Sequence, residues 1–284
     1  MSDTVFFNGA YMPKEEVRIS PDDRGFLLSD GIYEVVRVYR GAPFEMEAHV
    51  ERLADGLSAI RIDGARAEAM AEITRELITR NGLEGADACV YVQVTRGAAP
   101  RTHHFPGGSV KPTFYAAAWA FTATTDPSVG VDVITTPDHR WTRCDIKSVS
   151  LLANVLAAEE AHEAGAYEAV LVRGGVALEG TRTSLFGVLD GVVRTAPLTN
   201  YILPSITRQV ALDLCREAGI PVDERPLLLP EFAVADELFL AGTTTEIMPI
   251  VRVDGAAAGG GRPGPITTEL ARRFAERVAA LSPS

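Results

Sequence analysis

A chain of 284 residues, 46% hydrophobic and 23% charged, has the composition of a globular protein with a real core in one or two domains. Its net charge of −11 argues against wrapping nucleic acid or lying on an anionic membrane, but not against a local pocket for a small anion. No secretory leader or membrane-length apolar run is visible, and the three cysteines, Cys89, Cys144 and Cys215, are too scattered for a disulfide framework or a zinc site, so a cytoplasmic location is expected.

Residues 4–12 (TVFFNGAYM) place apolar runs on both sides of Asn8-Gly9, a hairpin signal. Residues 31–46 repeat the pattern around Arg40-Gly41. Val50, Leu53, Leu57 and Ile60 recur at helical spacing, as do Met70, Ile73 and Leu77. ACVYVQVTRG and PTFYAAAWAF return to strand character, so residues 1–121 read as a small α/β domain. TATTDPSVG (residues 122–130) is small, polar and turn-forming, the composition of a linker. Residues 131–284 then alternate strands (VDVITT, AVLVR, SLFGVL, ELFLAG) with helices after Lys147, after LPSIT and at the C-terminal end, where Leu270, Phe274, Val278 and Leu281 share one side. The glycines of GAAAGGGRPGP lack the strand and helix a dinucleotide fingerprint needs.

Lysine is rare: Lys14, Lys111 and Lys147 stand among 27 basic residues. Arginine keeps its proton, whereas a desolvated lysine becomes a nucleophile. Lys14 lies in a polar turn and Lys111 at a strand start before a proline. Lys147, in RCDIKSVSLL, sits between Ile146 and Ser148, with Val149 next, before a predicted helix, where its charge is poorly placed and a neutral amine for Schiff-base chemistry is favoured. Glu179, in VALEGTRTS, closes a strand at a tight turn; it reads either as a solvated turn acid or as a carboxylate set against a heteroaromatic nitrogen. Ser205-Ile206-Thr207 opens a helix and Thr243-Thr244-Thr245 follows a strand, each read as a plain cap or loop or as a phosphate cradle. The loop RGAAPRTHHFPGG is either a solvated basic loop or a carboxylate trap built on arginine. Adjacent His103 and His104 lack the spacing and acidic partners of metal ligands. One lysine, one acid and two cradles together are harder to dismiss than each alone.

The segments GIYEVVRVYRG, VYVQVTRGAAPRTHHFP, RWTRCDIKSVSLLANVLAAEEAHEAGAYEAVL, LPSITR, ADELFLAGTTTEIMPI and GRPGPIT resemble, in order and over nearly the whole chain, the fold-type IV pyridoxal-phosphate enzymes and within them the bacterial D-amino-acid aminotransferases. The resemblance implies a two-domain α/β architecture with a smaller N-terminal and a larger C-terminal domain and the cofactor site between them. It implies pyridoxal 5'-phosphate bound to Lys147, with Glu179 on the pyridine nitrogen. Arg52, Ile206, Thr207, Thr243 and Thr244 would hold the phosphate. Arg140, paired with Glu168, would lie by the ring hydroxyl. Tyr33, Arg101 and His103 would bind the substrate carboxylate, the last two reaching into the partner's site of a homodimer. Helical spacing alone makes Arg52 a solvated surface residue. Arg182, Ser184 and Gly242 depart from the resemblance, which puts hydrogen bonding around the cofactor in question. The implied reaction moves the amino group of a D-amino acid such as D-alanine to 2-oxoglutarate. Branched-chain L-amino-acid or (R)-amine transamination, and an aminodeoxychorismate lyase, are the alternatives on the same fold. A non-catalytic binder of phosphorylated ligands would explain the cradles but not Lys147.

Overall fold

The computed structural model describes residues 3–108 and 110–281. The chain forms two compact units. One takes the chain up to Thr122 and then Ile146–Ser150; the other takes Ala123–Asp145 and Leu151–Ala280. This division differs from the expected ranges at the linker, residues 123–130 of which fall in the second unit, and at the segment with Lys147. The segment with Lys147 groups with the first unit, because Ser148 bridges Ile32 and Val149 N–H donates to Gly31 C=O.

In the first unit, β1 (Thr4–Phe7), β2 (Ala10–Pro13), β3 (Gly31–Tyr39), β4 (Ala42–Pro43), β5 (Ala88–Thr95) and β6 (Thr113–Ala120) form an antiparallel sheet in the order β2-β1-β6-β5-β3-β4. Asn8 and Gly9 both adopt positive φ (49° and 96°), as a two-residue turn matched to strand twist requires. Helices α1 (Arg24–Leu28), α2 (Met46–Ala59) and α3 (Ala69–Arg80) complete this unit. Leu53 and Leu57 of α2 and Met70, Ile73 and Leu77 of α3 share one core with Ile32, Val36, Val90 and Val92 of the sheet. Each such aliphatic side chain stabilises the fold by about 1.5–3 kcal/mol relative to exposure.

The second unit contains β7 (Val131–Pro137), α4 (Leu152–Glu163), β8 (Glu168–Arg173), β9 (Val176–Gly180), β10 (Ser184–Leu189), β11 (Val192–Thr195), α5 (Ile206–Glu217), β12 (Val222–Asp223), β13 (Leu227–Leu228), β14 (Glu237–Gly242), β15 (Glu246–Val253), β16 (Ala256–Ala257) and α6 (Pro265–Ala279). Its mixed sheet runs β12-β11-β10-β14-β15-β7-β8-β9-β13, with β16 on β15. A further pairing of Ser184 with Glu179 joins β10 to β9 and closes six strands into a ring. Leu185, Leu238, Leu240 and Met248 are among the core residues of this unit. Gly264, at the start of α6, has no side chain to cap the helix. Glu237 of β14 caps it instead, accepting from Ile266 N–H, Thr267 N–H and Thr267 Oγ1 at 2.6–2.8 Å.

Candidate active site

Lys147 is half-buried in the extended segment Ile146–Ser150, and its C=O accepts from Tyr33 N–H at 3.0 Å. Its Nζ lies 4.2 Å from the centroid of the Tyr33 ring, which stacks on Tyr91 (5.7 Å, 29°). Tyr33 and Lys147 are therefore in contact. The helix end expected beside Lys147 lies further along the chain. α4 begins only at Leu152, and the field of a helix terminus fades within the first turn. The structure instead holds the lysine as an added edge on β3.

Side chains of β3 alternate between faces. Glu34 lies on the same face as Ile32 and Val36, toward α2, and is completely buried there. α2 answers with two residues one turn apart. Arg52 donates from Nε and Nη2 to the two oxygens of Glu34 at 2.7 and 2.8 Å, and His49 Nδ1 lies 2.8 Å from Glu34 Oε2. Burial would raise the Glu34 carboxyl, but Arg52 and His49 outweigh it and hold it at about 2. Burial also keeps His49 below the usual histidine range, although Glu34 opposes this. The helical pattern thus misjudges Arg52, whose side chain is 11% exposed. The available signal was a carboxylate out of place in the apolar alternation of β3, which demands a buried cation.

In the second unit, ring closure at Ser184 fixes Glu179 at 5% exposure. Glu179 Oε1 accepts from Arg140 Nη1 at 2.5 Å, and Leu203 N–H donates to both of its oxygens at 3.2–3.3 Å. Burial pushes this carboxyl up to about 7, while Arg140 and the Leu203 N–H pull it partway back. Arg140 is shared with Asp138, which accepts from Arg140 Nε at 2.9 Å and Arg173 Nη2 at 3.0 Å. The expected partner of Arg140, Glu168, is engaged elsewhere. It accepts from Thr181 N–H and Oγ1 and from Thr183 Oγ1, bracing the turn after Glu179. Arg140 pairs with Asp138 and Glu179 because these are the carboxylates within its reach. Arg182 is largely exposed at the edge of that turn, 3.9 Å from Glu168. A Cβ at Gly242 would meet Thr183 Cγ2 at 3.2 Å, so a side chain there requires Thr183 to give way.

Ile206 and Thr207 are buried in the first turn of α5. Ser205 Oγ accepts from Arg208 N–H, and the first amides of a helix have no intrahelical partner. Thr243 and Thr244 are half-buried in the turn from β14 to β15, with no polar side-chain partner among the described residues. Amides and hydroxyls of this kind fit a phosphate, and a buried acid held by a cation and an N–H fits a protonated ring nitrogen, so the donor set suits a phosphorylated pyridine. Arg101 and His103 lie exposed in the loop after β5 and make no hydrogen bond, ion pair or ring contact among the described residues. Glu34, His49, Asp138 and Tyr91 are among the members of these clusters that sequence reasoning missed.

Residues 31–253 match the family amino-transferase class IV. The chain is 38% identical over 280 residues to the D-alanine aminotransferase of Staphylococcus haemolyticus, covering 98% of this chain and 99% of that one. Among solved structures, the branched-chain amino acid aminotransferase of Escherichia coli superposes with a TM-score of 0.90 at 27% identity, covering 97% of this chain and 94% of that one. The branched-chain aminotransferase of the archaeon Thermoproteus uzoniensis with norvaline gives 0.88 at 26% identity, covering 98% and 95%.

Proposed function

The chain belongs to the amino-transferase class IV family, and on that premise we propose that it transfers the amino group of D-amino acids such as D-alanine to 2-oxoglutarate, giving a 2-oxo acid and D-glutamate. The observation that carries this reading is the end-to-end similarity to D-alanine aminotransferase. Pyridoxal 5'-phosphate, when bound, supplies a carbonyl carbon for the amino group and a ring that accepts electrons.

The rest falls to the chain. Lys147 Nζ is the amine that holds the cofactor and then moves the substrate Cα proton, and the Tyr33 ring orients it. Glu179 keeps a proton on the ring nitrogen, with Arg140 and the Leu203 N–H holding its carboxylate in place. The Ile206 and Thr207 amides, the Thr243 and Thr244 hydroxyls and the Arg52 guanidinium are assigned to the phosphate. Tyr33, Arg101 and His103 are assigned to the substrate carboxylate.

Arg101 and His103 are read as entering the neighbouring site of a homodimer. Leu152, Val155 and Leu156, exposed by more than half on one side of α4, support such an assembly. Light scattering should give twice 30.4 kDa; a stable 30.4 kDa species would contradict the dimer. Cys89, Cys144 and Cys215 are buried and unpaired, which suits a reducing, cytoplasmic setting. The likeness to branched-chain enzymes makes L-branched-chain donors the second reading, and the Arg101 and His103 pair favours the first.

Borohydride reduction of the holoenzyme followed by peptide mapping tests the lysine. A pyridoxyl label on Lys147 is expected; a label on Lys14 or Lys111 would contradict the assignment.

A further inference from the structure

Asp30, just before β3, centres a buried charge cluster that the chemistry above does not use. Its Oδ2 accepts from Arg24 Nε at 2.8 Å and Arg96 Nε at 2.7 Å, and its Oδ1 accepts from Arg96 Nη2 at 2.9 Å. The Arg24 and Arg96 side chains are only 3% and 9% exposed. Each guanidinium continues toward the loop after β5. Arg24 Nη1 donates to Thr102 C=O at 2.7 Å. The Arg96 guanidinium lies 3.8 Å from the centroid of the Phe105 ring, and Arg61 covers the same ring at 4.7 Å. Arg96 also donates to Ile60 C=O and Arg61 C=O, which ties it to the end of α2.

One carboxylate therefore fixes two cations, and these hold the loop on both sides of His103. Two buried arginines on one acid are expensive to desolvate, and apolar residues would cover a loop as well. What they add is direction: one carbonyl and one ring are held at set points. Arg101 and His103 lie between and beside those points, with their side chains left exposed.

We propose that Asp30, Arg24 and Arg96 are positioning residues that hold the Arg101–His103 segment in the form that receives a substrate carboxylate. This rests on the reading of Arg101 and His103 as the carboxylate trap. The ordering of the loop is then met in the fold and not at each binding event, so its loss falls on KM more than on kcat.

The test compares holoenzyme variants Arg24→Met, Phe105→Ala and Arg101→Ala with the parent. Arg24→Met frees the Thr102 end and leaves the Arg96 fork on Asp30. Phe105→Ala frees the other end at a surface residue, so folding is retained. D-alanine kinetics and hydrogen exchange of the peptide 97–108 are read for each. Both loop-freeing variants should exchange faster in that peptide and raise KM roughly tenfold, the scale of one hydrogen bond to a charged group, with kcat within about threefold. Unchanged exchange, or a fall confined to kcat, would overturn the positioning role. A raised KM in Arg101→Ala, with parental KM in the other two, would overturn it alone. A parental KM in Arg101→Ala would overturn the trap reading and this proposal with it.

Discussion

Glu179 sits between two demands. Its site buries a carboxyl that, by burial, would rather stay neutral, and Arg140 with the Leu203 N–H opposes that tendency. A pyridinium nitrogen would add the charge that completes the ionised state. Glu179→Gln keeps size and most hydrogen bonds but cannot hold that proton. It should lower the half-reaction with D-alanine roughly 100-fold or more, the scale of proton-transfer contributions, with thermal unfolding close to the parent's. A parental rate would show that the acid has no such role. This residue was legible from sequence as a candidate because a strand-ending acid before glycine stands out. Arg140 was legible only through the resemblance, and its partner was misassigned. Asp138 lies two residues upstream and Glu179 thirty-nine downstream, and no local pattern ranks those carboxylates above Glu168.

At the level of elements, Glu34 clamps β3 to α2. Its carboxyl sits at about 2 in the fold against an ordinary 4.5. The stabilisation is therefore complete above about 4.5 and is lost as pH falls through about 2. Glu34→Gln leaves Arg52 with a poorer buried partner and should cost about 3–5 kcal/mol at pH 7. Urea unfolding of parent and variant should show that difference shrinking as pH falls from 4.5 toward 2. A difference independent of pH would mean that shape, not charge, holds these elements together. The elements themselves were largely readable: the two α2 and α3 stripes and the Asn8-Gly9 turn follow from spacing and backbone preference. The clamp was not, because His49 and Arg52 meet Glu34 from 15 and 18 residues away, and helical spacing alone makes Arg52 look solvent-facing.

Over the whole molecule, the return of Ile146–Ser150 to the first unit is the feature that periodicity could least reveal. A short extended segment between β7 and α4 carries no hydrophobic rhythm of its own, and its place is set by pairing with Ile32 and Tyr33 far earlier in the chain. That pairing is what puts Lys147 on Tyr33. Transamination of D-amino acids, the central claim, is tested most directly by offering the holoenzyme D-alanine or L-leucine with 2-oxoglutarate and separating the glutamate enantiomers. Pyruvate and D-glutamate are expected from D-alanine, with little turnover of L-leucine. L-glutamate from L-leucine, with D-alanine inert, would contradict it.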